Sequence, residues 1–105
     1  MHEQHAAALV QARGEIDLDT APALQRRLTA ALKAHGEAVL DLSQVTFMDC
    51  AGLRPLLLAH HLAARHGGRL ILHGACHPVL RLLELTGLDQ YLTLGWPPDA
   101  EERPL

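Results

Sequence analysis

The sequence predicts an α/β protein: one domain with a mixed, mostly parallel central β-sheet and helices packed against it. Three observations lead there. Short apolar runs of strand length alternate with longer leucine-rich stretches of helical period. Prolines stand where helices would open and glycines where they would close. The chain has 105 residues, 49% of them hydrophobic, which is enough for one core and too few for two. Aromatic residues make up only 3%, so leucine, valine and alanine must fill that core.

Residues 6–13 read as a first strand. Gly14 permits a turn or bulge, and Glu15-Ile16-Asp17-Leu18 alternates polar with apolar as a half-buried strand end does. Asp19-Thr20-Ala21-Pro22 opens the first helix. Thr20 is placed to cap the following amides, and Pro22 falls in the first turn, where its missing donor costs nothing. Leu24, Leu28 and Leu32 then repeat every fourth residue, and Gly36 ends the helix.

Val39-Leu40-Asp41-Leu42 is the central strand, continued by extended or turning chain from Val45 to Met48. The small-residue loop Met48-Asp49-Cys50-Ala51-Gly52 follows. It joins the carboxyl end of a strand to a helix start, the crevice where α/β sheets concentrate binding sites. Pro55 is expected near the third helical position, which puts the cap at Gly52 and leaves Asp49, Cys50 and Ala51 in the loop. Unpaired amides and partial positive charge at such an entrance suit an anion or a partner's carboxylate.

The second helix is expected over about 52–66, ending at Gly67-Gly68. Arg69 to His73 forms a short apolar strand. His77-Pro78 opens a third helix that Gly87 ends, and Tyr91 to Leu94 gives a last strand. From 96 to 105 the composition changes to three prolines and an acidic pair, which predicts a disordered tail outside a domain spanning 1–95.

The formal net charge of -3 argues against a general affinity for nucleic acid or anionic lipid. Eight histidines make that charge sensitive to pH near neutrality. The amino terminus lacks the cationic and apolar pattern of a secretory signal, and no apolar run approaches the ~20 residues needed to cross a bilayer. Cys50 and Cys76 are too few for a disulfide framework. A cytoplasmic protein with reduced thiols is the expectation.

Two stretches carry a family resemblance. Gly14-Glu15-Ile16-Asp17-Leu18-Asp19-Thr20-Ala21 resembles the entry to the first helix of STAS domains (sulfate transporter and anti-sigma factor antagonist). Val39-Leu40-Asp41-Leu42-Ser43, with Phe47-Met48-Asp49-Cys50-Ala51-Gly52-Leu53, is similar to the same family's strand, aspartate, two small residues and Gly-Leu signature. The likeness covers about residues 7–95, and a free-standing domain of this size looks most like the bacterial anti-sigma factor antagonists.

The resemblance implies a STAS-like fold and a binding module, not an enzyme. Its partner would be an anti-sigma factor that is also a serine protein kinase, and docking would release a sigma factor. It implies a partner-binding surface of Asp17, Thr20, Asp49, Cys50, Ala51, Gly52 and Leu53, with no cofactor and no metal. In the family the kinase phosphorylates a serine or threonine immediately before the signature glycine, and the added charge breaks the complex. Ala51 stands at that position and has no hydroxyl. The phosphorylation switch is therefore expected to be missing.

Other readings stand beside this one. Some free-standing STAS-like proteins are accessory subunits that bind the ATPase of a membrane ABC transporter. Cys50 near a helix start could serve as a nucleophile or thiol sensor, but no base is identifiable and an inert loop thiol is the preferred reading. His73, Cys76 and His77 have no fourth ligand of evident spacing and read as solvent-exposed rather than as a zinc site. Asp49 fits a docking role and a loop-bonding role about equally, whereas Asp17 and Thr20 are structural caps by default, and a partner-contact role for Asp17 rests on the family likeness alone. Homodimers could form through the helix faces.

Overall fold

The structure is a computed structural model, described here for residues 7–95. The expected tail over 96–105 lies outside the described residues. The element order is β1 (Ala8–Ile16), α1 (Ala21–His35), β2 (Glu37–Met48), α2 (Cys50–Arg65), β3 (Arg69–His73), α3 (His77–Thr86), a short 3-10 turn (Leu88–Gln90) and β4 (Thr93–Leu94). The strands lie in the sheet in chain order, β1-β2-β3-β4, and each pairs in parallel with its neighbour.

The α/β class is as the sequence predicts, with two differences in detail. Among the described residues the sheet is parallel throughout rather than mixed. The two strand segments expected before the first helix are one strand. Gly14 does not turn the chain; with φ of 70° it absorbs an irregularity in the pairing. Gln11 pairs with Asp41 but Arg13 with Gln44, and Gly14 pairs with Val45 but Glu15 with Phe47. Each time β2 carries the additional residue, as in a β-bulge. The 12 residues of β2 thus stay one strand from Glu37 to Met48, where the sequence left its second half open.

One sheet face carries the core. The row Val10–Leu40–Leu72 is in register and buried, and it joins Leu24, Leu28, Leu32, Leu53, Leu56, Val79 and Leu83 in one cluster. All three helices therefore contribute to the same apolar layer, as crossovers of one hand between strands in consecutive order require. The other face bears cross-strand polar pairs. Gln11 Nε2 donates to Asp41 Oδ2 at 3.2 Å, and Arg69 Nε lies 3.4 Å from Glu37 Oε2.

The helix ends follow from residue chemistry. Gly36 and Gly87 close α1 and α3 in the left-handed conformation, and Pro22 and Pro78 stand in their first turns. At the amino-terminal end of the sheet, a side chain on Gly68 would run into the backbone carbonyl of Gly36, so the loops after α1 and α2 cross in direct backbone contact.

Candidate functional site

At the opposite end of the sheet, the starts of α1 and α2 lie side by side above the ends of β1 and β2. Each start is built by an aspartate. The Asp17 carboxylate accepts the amides of Asp19 and Thr20 at 3.0 and 3.1 Å. Thr20 does not cap the helix with its side chain. Its Oγ1 instead accepts the Asp17 amide at 2.9 Å and donates to the Glu15 carbonyl at 2.9 Å, tying the helix entrance back to the strand end. The cap expected of Thr20 is therefore not made: its hydroxyl is occupied, and the Asp17 carboxylate orders the turn just ahead of the helix rather than a helical amide.

The second entrance also differs from expectation. Asp49, not Gly52, is the N-cap of α2, and its Oδ1 accepts the amides of Ala51 at 2.9 Å and Gly52 at 3.3 Å. Cys50 and Ala51 are therefore the first two helical residues rather than loop. Pro55 sits in the second turn, where it has no amide to offer the Ala51 carbonyl one turn back. First-turn placement is only the least costly option for proline, and the aspartate cap decided the boundary. The Asp49 amide donates to the Ile16 carbonyl at 3.3 Å, which locks the α2 entrance onto the end of β1.

The seven residues implicated by resemblance fall into two groups. Cys50 and Thr20 are exposed, and Asp17, Asp49 and Ala51 are half-buried, so all five reach the surface of this corner. Gly52 and Leu53 do not. Leu53 is 5% exposed and belongs to the core, and a Cβ on Gly52 would lie 2.7 Å from Met48 Cγ and 2.8 Å from the Ile16 carbonyl. Those two fix how closely the helix approaches the strands and offer a partner nothing to touch.

Between the two helix starts runs an open groove of about 480 Å³, lined by Leu18, Ala21, Pro22, Gln25, Cys50, Ala51, Arg54 and Pro55. Leu18 and Arg54 are functional candidates that sequence reasoning missed. Leu18 is 75% exposed. Its signal was visible as one large apolar residue between two aspartates, read as a strand end because the alternation fits. The groove has an apolar floor, one exposed thiol and one guanidinium, a composition suited to receiving side chains of another protein. Cys76 is elsewhere, its thiol donating to the Val45 carbonyl at 3.4 Å.

One ionisable group near the sheet is clearly perturbed. Asp41 is held below the ordinary carboxylate range, first by the backbone amide and then by the side chain of Ser43, with smaller help from Gln11 and the charge of His73. It stands on the sheet face away from the helices, not in the groove.

Comparison with known proteins agrees with this architecture. The family model described as "Mlab, STAS domain" matches residues 1–94. The anti-sigma-B factor antagonist of Listeria monocytogenes is 32% identical over 82 residues, covering 77% of this chain and 72% of that protein. The anti-sigma-B factor antagonist of Bacillus subtilis is 28% identical over 86 residues, 82% and 79% of the two chains. Among solved structures, an anti-sigma factor antagonist from Mycobacterium paratuberculosis superposes with a TM-score of 0.77 at 31% identity, covering 93% of this chain and 85% of that one.

Proposed function

Because the chain belongs to the STAS domain family, we propose that it is a non-catalytic regulator, an anti-sigma factor antagonist that docks on an anti-sigma factor and frees a sigma factor. The docking element is the corner where Asp49 presents Cys50 and Ala51 beside the groove of Leu18, Pro22 and Arg54. Relatives named as antagonists support the role. The observation that carries the rest is Ala51, an aliphatic residue in the first turn of a capped helix where the family's acceptor hydroxyl would stand. On this reading the partner is a kinase-like anti-sigma factor, binding is not ended by phosphorylation at this position, and the protein works in the cytoplasm. Among the described residues no helix is long and apolar enough to cross a membrane.

Affinity capture from the native cell with the full chain as bait tests this reading. A kinase-like anti-sigma factor should be recovered, and its loss on Ala51→Glu should show that the α2 entrance is the contact. Recovery that is indifferent to residue 51 would remove this corner from the docking surface.

A second reading keeps the same corner and changes the partner to the ATPase of a membrane ABC transporter. Ala51 favours keeping it, since a docking surface without an acceptor hydroxyl has no need of a kinase partner. Capture of an ABC ATPase in place of an anti-sigma factor decides for it.

A further inference from the structure

The net charge of -3 conceals a strong segregation. Arg26, Arg27 and Lys33 on α1 and Arg54 and Arg65 on α2 are the charged residues of those two helices, which contain no aspartate or glutamate. The remainder of the chain therefore carries a formal -8 against +5 on the two helices. Arg27 is committed, its Nη2 donating to the Gln11 carbonyl at 2.8 Å. The other four are exposed, and no described carboxylate pairs with them.

Their spacing places them on the outer side of the helical layer. Arg26 and Lys33 are seven residues apart, two turns or about 10 Å along one stripe of α1. Arg54, Leu58, His61 and Arg65 follow one stripe of α2, opposite the buried Leu56, Ala59 and Ala63. Leu58 is 40% exposed within that stripe. Helix-dipole chemistry explains Lys33 and Arg65 near the carboxyl ends, but not Arg26 and Arg54, which lie in the first halves of their helices.

We propose that the outer surface of the α1–α2 layer is an interaction surface for a carboxylate-rich face of a partner protein. Two other anionic classes fit less well. Neither helix carries a Phe, Tyr or Trp on which a nucleic-acid base could stack, and the ring within the stripe, His61, already lies against Tyr91 with centroids 5.7 Å apart. Asp17, Asp19 and Asp49 bound the basic surface at the end where the two helices start, which limits it to a patch and disfavours a continuous anionic lipid plane. A bounded basic patch with one exposed leucine matches a protein surface of similar size. The inference deepens the docking reading by naming what the partner presents, and it extends the contact from the groove along both helices.

The test does not use that partner, so its failure is separable from a failure to capture one. A fluorescein-labelled, glutamate-rich helical peptide is titrated with the full chain at low salt and again at about 0.15 M, where charges are screened beyond about 8 Å. Binding should weaken about tenfold or more with salt, and again with the pair Arg54→Glu and Arg65→Glu or the pair Arg26→Glu and Lys33→Glu. Arg81→Glu, a cation on α3, should change it less than about twofold. Circular dichroism verifies that each variant folds. Absence of binding, or binding that ignores the reversals on α1 and α2, overturns the proposal. So does equal or tighter binding of phosphatidylglycerol vesicles or duplex DNA through the same residues, which would assign the surface to another class of anion.

Discussion

The Asp49 carboxylate accepts the amide of Ala51 at 2.9 Å, so the residue proposed to stand at the acceptor position is held in place by the cap of the helix it opens. Stability of the helix entrance and presentation of the proposed docking corner are joined in that one hydrogen bond. Asp49→Ala should cost about 0.5–2 kcal/mol. Asp49→Asn keeps a capping oxygen and should cost little. Urea denaturation separates the two, and equal losses would mean the cap contributes nothing that charge alone does not.

Gly52 should tolerate no side chain. A methyl group there would press on the Met48 side chain and on the Ile16 carbonyl, and the second of these is backbone that cannot rotate away. Gly52→Ala should therefore destabilise by about 1–3 kcal/mol, despite alanine's higher helix propensity. For a domain of this size that is a melting-temperature drop of at least about 4 °C. An unchanged melting temperature would show that α2 can lift from the strand ends without cost.

The acceptor prediction concerns chemistry. Incubated with its captured anti-sigma kinase and ATP, the wild-type chain should take up no phosphate at position 51, and Ala51→Ser should become a substrate. Serine is compatible with a first helical turn, so the variant should fold. Mass spectrometry that finds phosphate on the wild-type α2 entrance refutes the expectation.

The two thiols should react at different rates. Cys50 is exposed at the groove, whereas Cys76 is half-buried and donates to the Val45 carbonyl. An aromatic disulfide reagent should modify one thiol per chain quickly and the second only slowly or on unfolding, and Cys50→Ser should abolish the fast phase.

Asp41 sets an acid dependence. Its folded-state pKa lies below its unfolded value near about 3.9, so its contribution is present above that value and is lost as pH falls through the folded pKa. Asp41→Asn should flatten the fall of stability in that acid window and leave its slope near neutrality unchanged. Denaturant midpoints measured from pH 5 downwards provide the comparison.

Much of this molecule is legible in its residues. The leucine repeat of α1, the proline entrances at Pro22 and Pro78 and the glycine exits at Gly36 and Gly87 are local chemistry, and each is where the pattern puts it. What was not legible depends on contacts between distant segments. Gly14 reads as either a turn or a bulge in isolation, and only pairing with β2 decides for the irregularity and carries the strand through it. Pro55 reads as a first-turn residue until Asp49 takes the cap. Thr20 reads as a cap until the Glu15 carbonyl claims its hydroxyl. Leu18 became a groove residue only when the two helix starts were brought together, and nothing in periodicity foretells that.

The crossing of Gly36 and Gly68 has a mechanical corollary. Backbone rests directly on backbone there, so any side chain at position 68 would have to push the two loops apart. How near α1 and α2 come to each other at this end is thus set by a missing methyl group, a dimension that no repacking of larger side chains could supply.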